Sequence, residues 1–250
     1  MKSKLLPGNT SVFTLNVVGG SASAAHALPD ESLAWPRFLE KKLLAENVNL
    51  RMDHRCQGGL TLVRSMELIG DLFTSDILIL HFGTSVAWPS PLVRLGHRFG
   101  FETHNEFAFH QPPYAYGGNW VKKRSRWFRL RMRNFIKYLL FMGGAYRPRN
   151  SIREVKDQVS AVISLARKKS DRIIWIQHRS LQSKRIFLER AIYSRYYRRV
   201  ISAVKEIGGD SLVLMELPQE FLNGENYLID GVHLSELGHS NLASMIRKML

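Results

Sequence analysis

The stretch Asp76-Ile77-Leu78-Ile79-Leu80-His81-Phe82 is apolar at nearly every position. A strand with one wet face alternates apolar and polar residues, because successive side chains point to opposite faces. A strand that is apolar throughout needs a cover on both faces, the situation of a central strand in a parallel sheet. This run therefore predicts a sheet sandwiched between helices.

The rest of the chain repeats that rhythm. Val12–Val18 predicts a first strand that stops at Gly19-Gly20, and Val48–Met52 a short second one. Between them Leu33–Glu46 reads as a helix, with Leu33, Phe38, Leu39, Leu43 and Leu44 as its apolar face, and Leu60–Leu72 reads as the next. Ser151 is the expected N-cap of a helix over Ile152–Lys168, with Glu154 in its first turn. Arg172–Gln177 and Ser211–Glu216 predict the fourth and fifth strands. A long helix, Phe187–Ile207, lies between them and stops at Gly208-Gly209, and Ser235–Met249 is the terminal helix. Five strands separated by helices imply one α/β domain over residues 1–250 with a five-stranded parallel sheet. Residues 86–150, with Pro89, Pro91, Pro112, Pro113 and Pro148, break the rhythm and read as an insertion, partly helical.

In such sheets ligands bind beyond the carboxyl ends of the strands. Ser21 and Ser85 follow strands there, and Asp230 and His233 lie in the loop after the fifth strand. An Asp three residues before a His lets one loop carry a base and the carboxylate that orients it. A serine early in the chain would complete a nucleophile, base and carboxylate set. Ser23 is a rival nucleophile, expected inside the first helical turn with a capping role as its alternative. His178 could face the same cleft or be a polar strand end. His26, His104 and His110 have no second ligand at metal spacing, so no metal and no cofactor is expected. Cys56, the single cysteine, excludes an internal disulfide and reads as a small buried residue.

Four blocks of the chain resemble the SGNH hydrolases, or GDSL-type esterases. Gly19-Gly20-Ser21 stands where that family usually has G-D-S. Gly58-Gly59-Leu60-Thr61 is similar to its second, glycine-centred block. Gly83-Thr84-Ser85-Val86 stands for G-x-N-D, and Asp230, His233 and Gly238 match the last block. The resemblance covers residues 11–85 and 151–250 and implies a flavodoxin-like three-layer fold. It implies Ser21, Asp230 and His233 as the catalytic set. The oxyanion would be held by the backbone N–H groups of Ser21 and Gly59 and by the side chain of Ser85. Ser85 replaces an Asn amide with a shorter hydroxyl that aims differently, and losing one oxyanion donor typically costs roughly 100- to 1,000-fold in rate. Gly20 removes the polar Asp beside the nucleophile. The implied activity is a serine esterase or acyltransferase working on a short acyl group, acetyl first among them, carried by a carbohydrate or glycolipid. The two departures keep a second class open: an SGNH-fold module that binds glycan or lipid without turnover.

Charge adds a separate expectation. The formal net charge of +15 favours polyanionic surfaces. From Phe107 to Arg153 there is no acidic residue. Lys122, Lys123, Arg124, Arg126, Arg129, Arg131 and Arg133 are interleaved with Trp127, Phe128, Leu130, Phe135 and Leu139, the pattern of a basic amphipathic helix. Such a helix can lie in an anionic membrane surface, aromatic side down; a lid or oligomer face is the alternative. The apolar side is too rich for a surface that only tracks phosphates, which disfavours nucleic acid. The basic start, Met1–Gly8, lacks a following apolar segment, so no cleavable signal is expected. The expected location is the cytoplasm, peripheral on the inner face of the membrane.

Overall fold

The computed structural model describes residues 11–25, 28–82, 135, 139, 150–177, 187–222, 224–228 and 233–250. The elements are β1 (Phe13–Gly19), α1 (Trp35–Ala45), β2 (Leu50–Cys56), α2 (Leu62–Gly70), β3 (Ile77–His81), α3 (Ile152–Arg167), β4 (Ile173–Gln177), α4 (Phe187–Gly208), β5 (Leu212–Glu216) and α5 (Glu236–Met249). The strands form one parallel sheet in the order β2-β1-β3-β4-β5. This is the flavodoxin-like order, whose switch point lies between β1 and β3.

The sheet separates two apolar layers. Ile77 and Ile79 of β3 join Leu15 and Val17 of β1 in a core with Trp35, Leu39 and Leu43 of α1 and Leu242 and Ile246 of α5. Leu78 and Leu80 face the other way, into a core with Ile69 of α2, Val155, Val159 and Val162 of α3 and Val200 and Val204 of α4. Every residue of β3 is buried, which explains the apolar run Ile77–Leu80.

Local chemistry sets the helix ends. Ser151 accepts from the Glu154 amide at 3.2 Å, and the Glu154 carboxylate accepts from the Ser151 amide at 2.5 Å, closing a capping box. Pro36 sits in the first turn of α1, where its missing N–H costs nothing. Gly209 follows α4 in the left-handed region (φ +52°), the conformation that ends a helix cheaply at glycine.

Three expectations need correction. The second strand runs Leu50–Cys56, not Val48–Met52. Among the described residues β2 pairs only with β1 and stays half-exposed, so it tolerates Asp53, His54 and Arg55 as a buried strand would not. On α1, Leu44 is exposed, and fully buried Trp35 belongs to the apolar face instead. Ser23 lies in a run of turns, not in a helical turn. Apart from Phe135, Leu139 and Asn150, the insertion lies outside the described residues.

Candidate functional site

β1 ends between its two neighbours with Gly19 level with Cys56 of β2 and His81 of β3. Beyond this line the chains stay joined: the Gly20 amide donates to the His81 carbonyl (2.9 Å), and the Gln57 amide donates to the Gly19 carbonyl (3.0 Å). Ser21 follows on a turn closed by the Ser23 and Ala24 amides, both donating to the Gly20 carbonyl (2.8 and 3.1 Å). It is half-buried, so a reactant could reach its hydroxyl. Gly59 is exposed beside this turn with φ +69°, a conformation that suits glycine. Thr61, two residues on, caps α2 by accepting from the Arg64 amide (3.3 Å). The positive end of the α2 dipole therefore lies next to Gly59, which favours a developing negative charge.

His233 is buried just before α5. Its segment is tied back by the Tyr227–Leu234 bridge, by the Leu228 amide donating to the His233 carbonyl (2.8 Å) and by the Ser235 amide donating to the Asn226 carbonyl (3.0 Å). The Ser235 hydroxyl caps α5 by accepting from the Gly238 amide (3.1 Å). Gly238 is required by space: a Cβ there would meet the Asn226 carbonyl oxygen at 2.0 Å. The glycine of the last sequence block thus allows α5 to pack against the segment that carries the candidate base.

A buried polar cluster supports these segments. Ser23 Oγ lies 2.8 Å from His81 Nδ1, and Trp35 Nε1 donates to both at 3.1 Å. All three residues are fully buried. The Trp35 amide donates to His239 Nδ1 at 3.1 Å, joining α1 to α5. Burial, with a smaller contribution from nearby His233, pushes the His239 ring from 6.5 down to about 3. Folded His239 therefore stays neutral where the unfolded chain would protonate it. Its contribution to stability is complete above pH 6.5 and is lost as pH falls from there towards about 3. His239→Asn keeps an acceptor near the Nδ1 position without a titrating group. It is expected to flatten the pH dependence of the urea midpoint between about pH 4.5 and about pH 7. Unchanged acid sensitivity would assign that sensitivity to another group.

The structure thus places Ser21 and Gly59 on adjacent turns at the carboxyl edge, with His233 on the α5 side of the sheet. Asp230, Ser85, His26, His104, His110, His178 and the basic set Lys122, Lys123, Arg124, Arg126, Trp127, Phe128, Arg129, Arg131 and Arg133 lie outside the described residues. Burial pushes the Cys56 thiol up to about 12, which leaves it protonated and unsuited to nucleophilic attack. Sequence reasoning missed His81, Trp35 and His239. A signal existed for the first: an imidazole in an otherwise apolar strand must find polar partners once buried.

No family model matches the chain, and no curated sequence matches it. Solved structures do resemble it in fold. TesA shares 16% identity at a TM-score of 0.52, over 95% of this chain and 97% of that one. A lipase/acylhydrolase from Enterococcus faecalis shares 13% identity at 0.59, over 94% of each. Axe2, an acetylxylan esterase from Geobacillus stearothermophilus, shares 14% identity at 0.55, over 100% of this chain and 96% of that one. At such identities the likeness concerns the fold, and the fold of this chain is that of the SGNH hydrolases.

Proposed function

We propose that the chain is a serine esterase or acyltransferase that cleaves or transfers a short acyl group through a Ser21 acyl-enzyme. The observation that carries the reading is the position of Ser21. It occupies a half-buried turn at the carboxyl end of β1, at the switch point of the sheet, and the α2 N-terminus follows the neighbouring strand β2. Ser21 Oγ attacks the ester carbonyl while His233 takes its proton. The resulting oxyanion rests on the Ser21 and Gly59 amides, with the Ser85 hydroxyl as third donor. Collapse breaks the ester bond, and His233 returns the proton to the departing alcohol. Water or an acceptor hydroxyl then attacks the acyl-enzyme by the same steps in reverse, and Asp230 orients and stabilises the imidazolium. Acetyl on a carbohydrate or glycolipid is the preferred substrate class. Axe2, similar in fold, is an acetylxylan esterase.

The test is labelling with a fluorophosphonate and location of the adduct by mass spectrometry. Phosphonylation at Ser21, lost in His233→Ala, is the expected result. A folded protein that stays unlabelled would instead point to a glycan- or lipid-binding module, in line with Gly20 and Ser85.

A second proposal concerns location. We infer that the insertion holds the protein against an anionic membrane surface, on the cytoplasmic face. Phe135 and Leu139, the described residues of this stretch, are each helical and 55% and 52% exposed, so two large apolar side chains stand open to solvent. The flanking sequence from 122 to 133 is rich in Lys and Arg. Sedimentation with phosphatidylglycerol vesicles is expected to be strong at low salt, weak with phosphatidylcholine alone, and reduced by a Phe135→Ser/Leu139→Ser double substitution. Equal behaviour with both lipids would overturn the proposal.

A further inference from the structure

We propose that His81 and Trp35 are positioning residues for the Ser21 hydroxyl, acting through the buried hydroxyl of Ser23; the proposal rests on Ser21 being the nucleophile. His81 grips the Ser21 turn twice. Its carbonyl accepts from the Gly20 amide (2.9 Å), one residue before Ser21, and its ring Nδ1 bonds Ser23 Oγ (2.8 Å), two residues after. The turn cannot swing about β1 without breaking one of these bonds. The fit is also tight: a Cβ on Gly19 would lie 2.3 Å from Ser23 Oγ, so the hydroxyl rests directly on the β1 backbone.

Trp35 fixes the direction of the bonds. An indole N–H can only donate. Trp35 Nε1 lies 3.1 Å from both Ser23 Oγ and His81 Nδ1, so both of those atoms accept. His81 then carries its ring proton on Nε2, and the Ser23 hydroxyl gives its own proton to Nδ1. Ser23 is thereby held in a single orientation inside a dry core, where such bonds are stronger than in water. A turn that needed only packing would do as well with apolar side chains here, because replacing buried polar partners by apolar groups of the same shape is often neutral. Trp35 also reaches the other half of the site, since its amide holds His239 on α5, six residues after His233. One residue thus braces the nucleophile turn through its side chain and the helix behind the candidate base through its main chain.

The test is the rate of fluorophosphonate labelling at Ser21, resolved into the binding and bond-forming constants, with melting temperatures recorded in parallel. Ser23→Ala, His81→Leu and Trp35→Phe are expected to lower the bond-forming constant by about 10- to 100-fold, the scale set by misplacing a reacting group by about 1 Å, with binding unchanged. His81→Asn, which puts an oxygen acceptor near the Nδ1 position, is expected to recover most of the loss. The Ser23→Ala/His81→Leu double variant should be no slower than the slower single one, because both remove the same bond. Labelling of Ser23→Ala and Trp35→Phe within about twofold of wild type would overturn the inference while leaving Ser21 as nucleophile. His81→Asn as slow as His81→Leu would also overturn it. Should His81→Leu fail to fold, the Ser23 and Trp35 variants decide. A wild-type protein unlabelled at Ser21 overturns the functional reading, and this inference with it.

Discussion

Gly238→Ala is expected to destabilise the protein by about 2–3 kcal/mol and to remove labelling at Ser21, although the substitution adds one methyl group. In most helices the same change is favourable by up to about 1 kcal/mol, because alanine loses less backbone entropy than glycine. Here the added Cβ would sit 2.0 Å from the Asn226 carbonyl oxygen and 2.9 Å from its carbon. Backbone cannot rotate away as a side chain can. Asn226 is also held on several sides: its carbonyl accepts from the Ser235 amide (3.0 Å), its Nδ2 donates to the Phe221 carbonyl (2.9 Å), and its Oδ1 accepts from Asn241 (2.8 Å). Relief must come from a shift of α5 or of the segment between Asn226 and Ser235, which contains His233. Gly70, at the end of α2, is the control. A Cβ there meets nothing within 4 Å, so Gly70→Ala is expected to be neutral or mildly stabilising. Urea denaturation with a common slope for all three proteins makes the comparison. Equal midpoints for Gly238→Ala and Gly70→Ala would refute the close approach of Asn226.

Ser21→Ala and His233→Ala are each expected to lower turnover of a small acetyl ester such as p-nitrophenyl acetate by at least about 1,000-fold. The double variant should be no worse than either alone, because a nucleophile without its base and a base without its nucleophile fail at the same step. Neither change should unfold the protein. Ser21 is half-buried on a turn held by its neighbours' bonds, and removing its hydroxyl breaks none of the backbone bonds that close the turn. Losses that multiplied in the double variant would mean that the two residues act in separate steps, which the acyl-enzyme scheme does not allow. Turnover that survived Ser21→Ala would remove Ser21 from the mechanism.

Several features were legible in sequence for identifiable reasons. The run Ile77–Leu80 announced a doubly covered strand because burial on two faces leaves apolar residues at successive positions. Ser151 and Glu154 announced α3 because a capping box is a contact between residues three apart. The end of β2 was hidden because Asp53, His54 and Arg55 are compatible with either a loop or an edge strand, and only pairing with β1 decides between them. Ser23 was misplaced because a serine after a strand fits a helix cap as well as a turn. Its true partner, His81, lies 58 residues away.

The sequence by itself determined the layered parallel sheet and the location of Ser21 at its carboxyl edge. Periodicity, capping and the alternation of strands with helices are local properties, and the edge follows from chain direction. Only the tertiary structure decided which polar groups meet behind that edge. Trp35 reaches Ser23 across 12 residues, His81 across 46 and His239 across 204, and no local pattern encodes those distances. They are fixed by the register that sets Gly19 level with His81, and by the packing of α1 beside α5 on one face of the sheet. Burial favours a partner for the Ser23 hydroxyl, the His81 imidazole and the Trp35 indole, but the fold chooses which one.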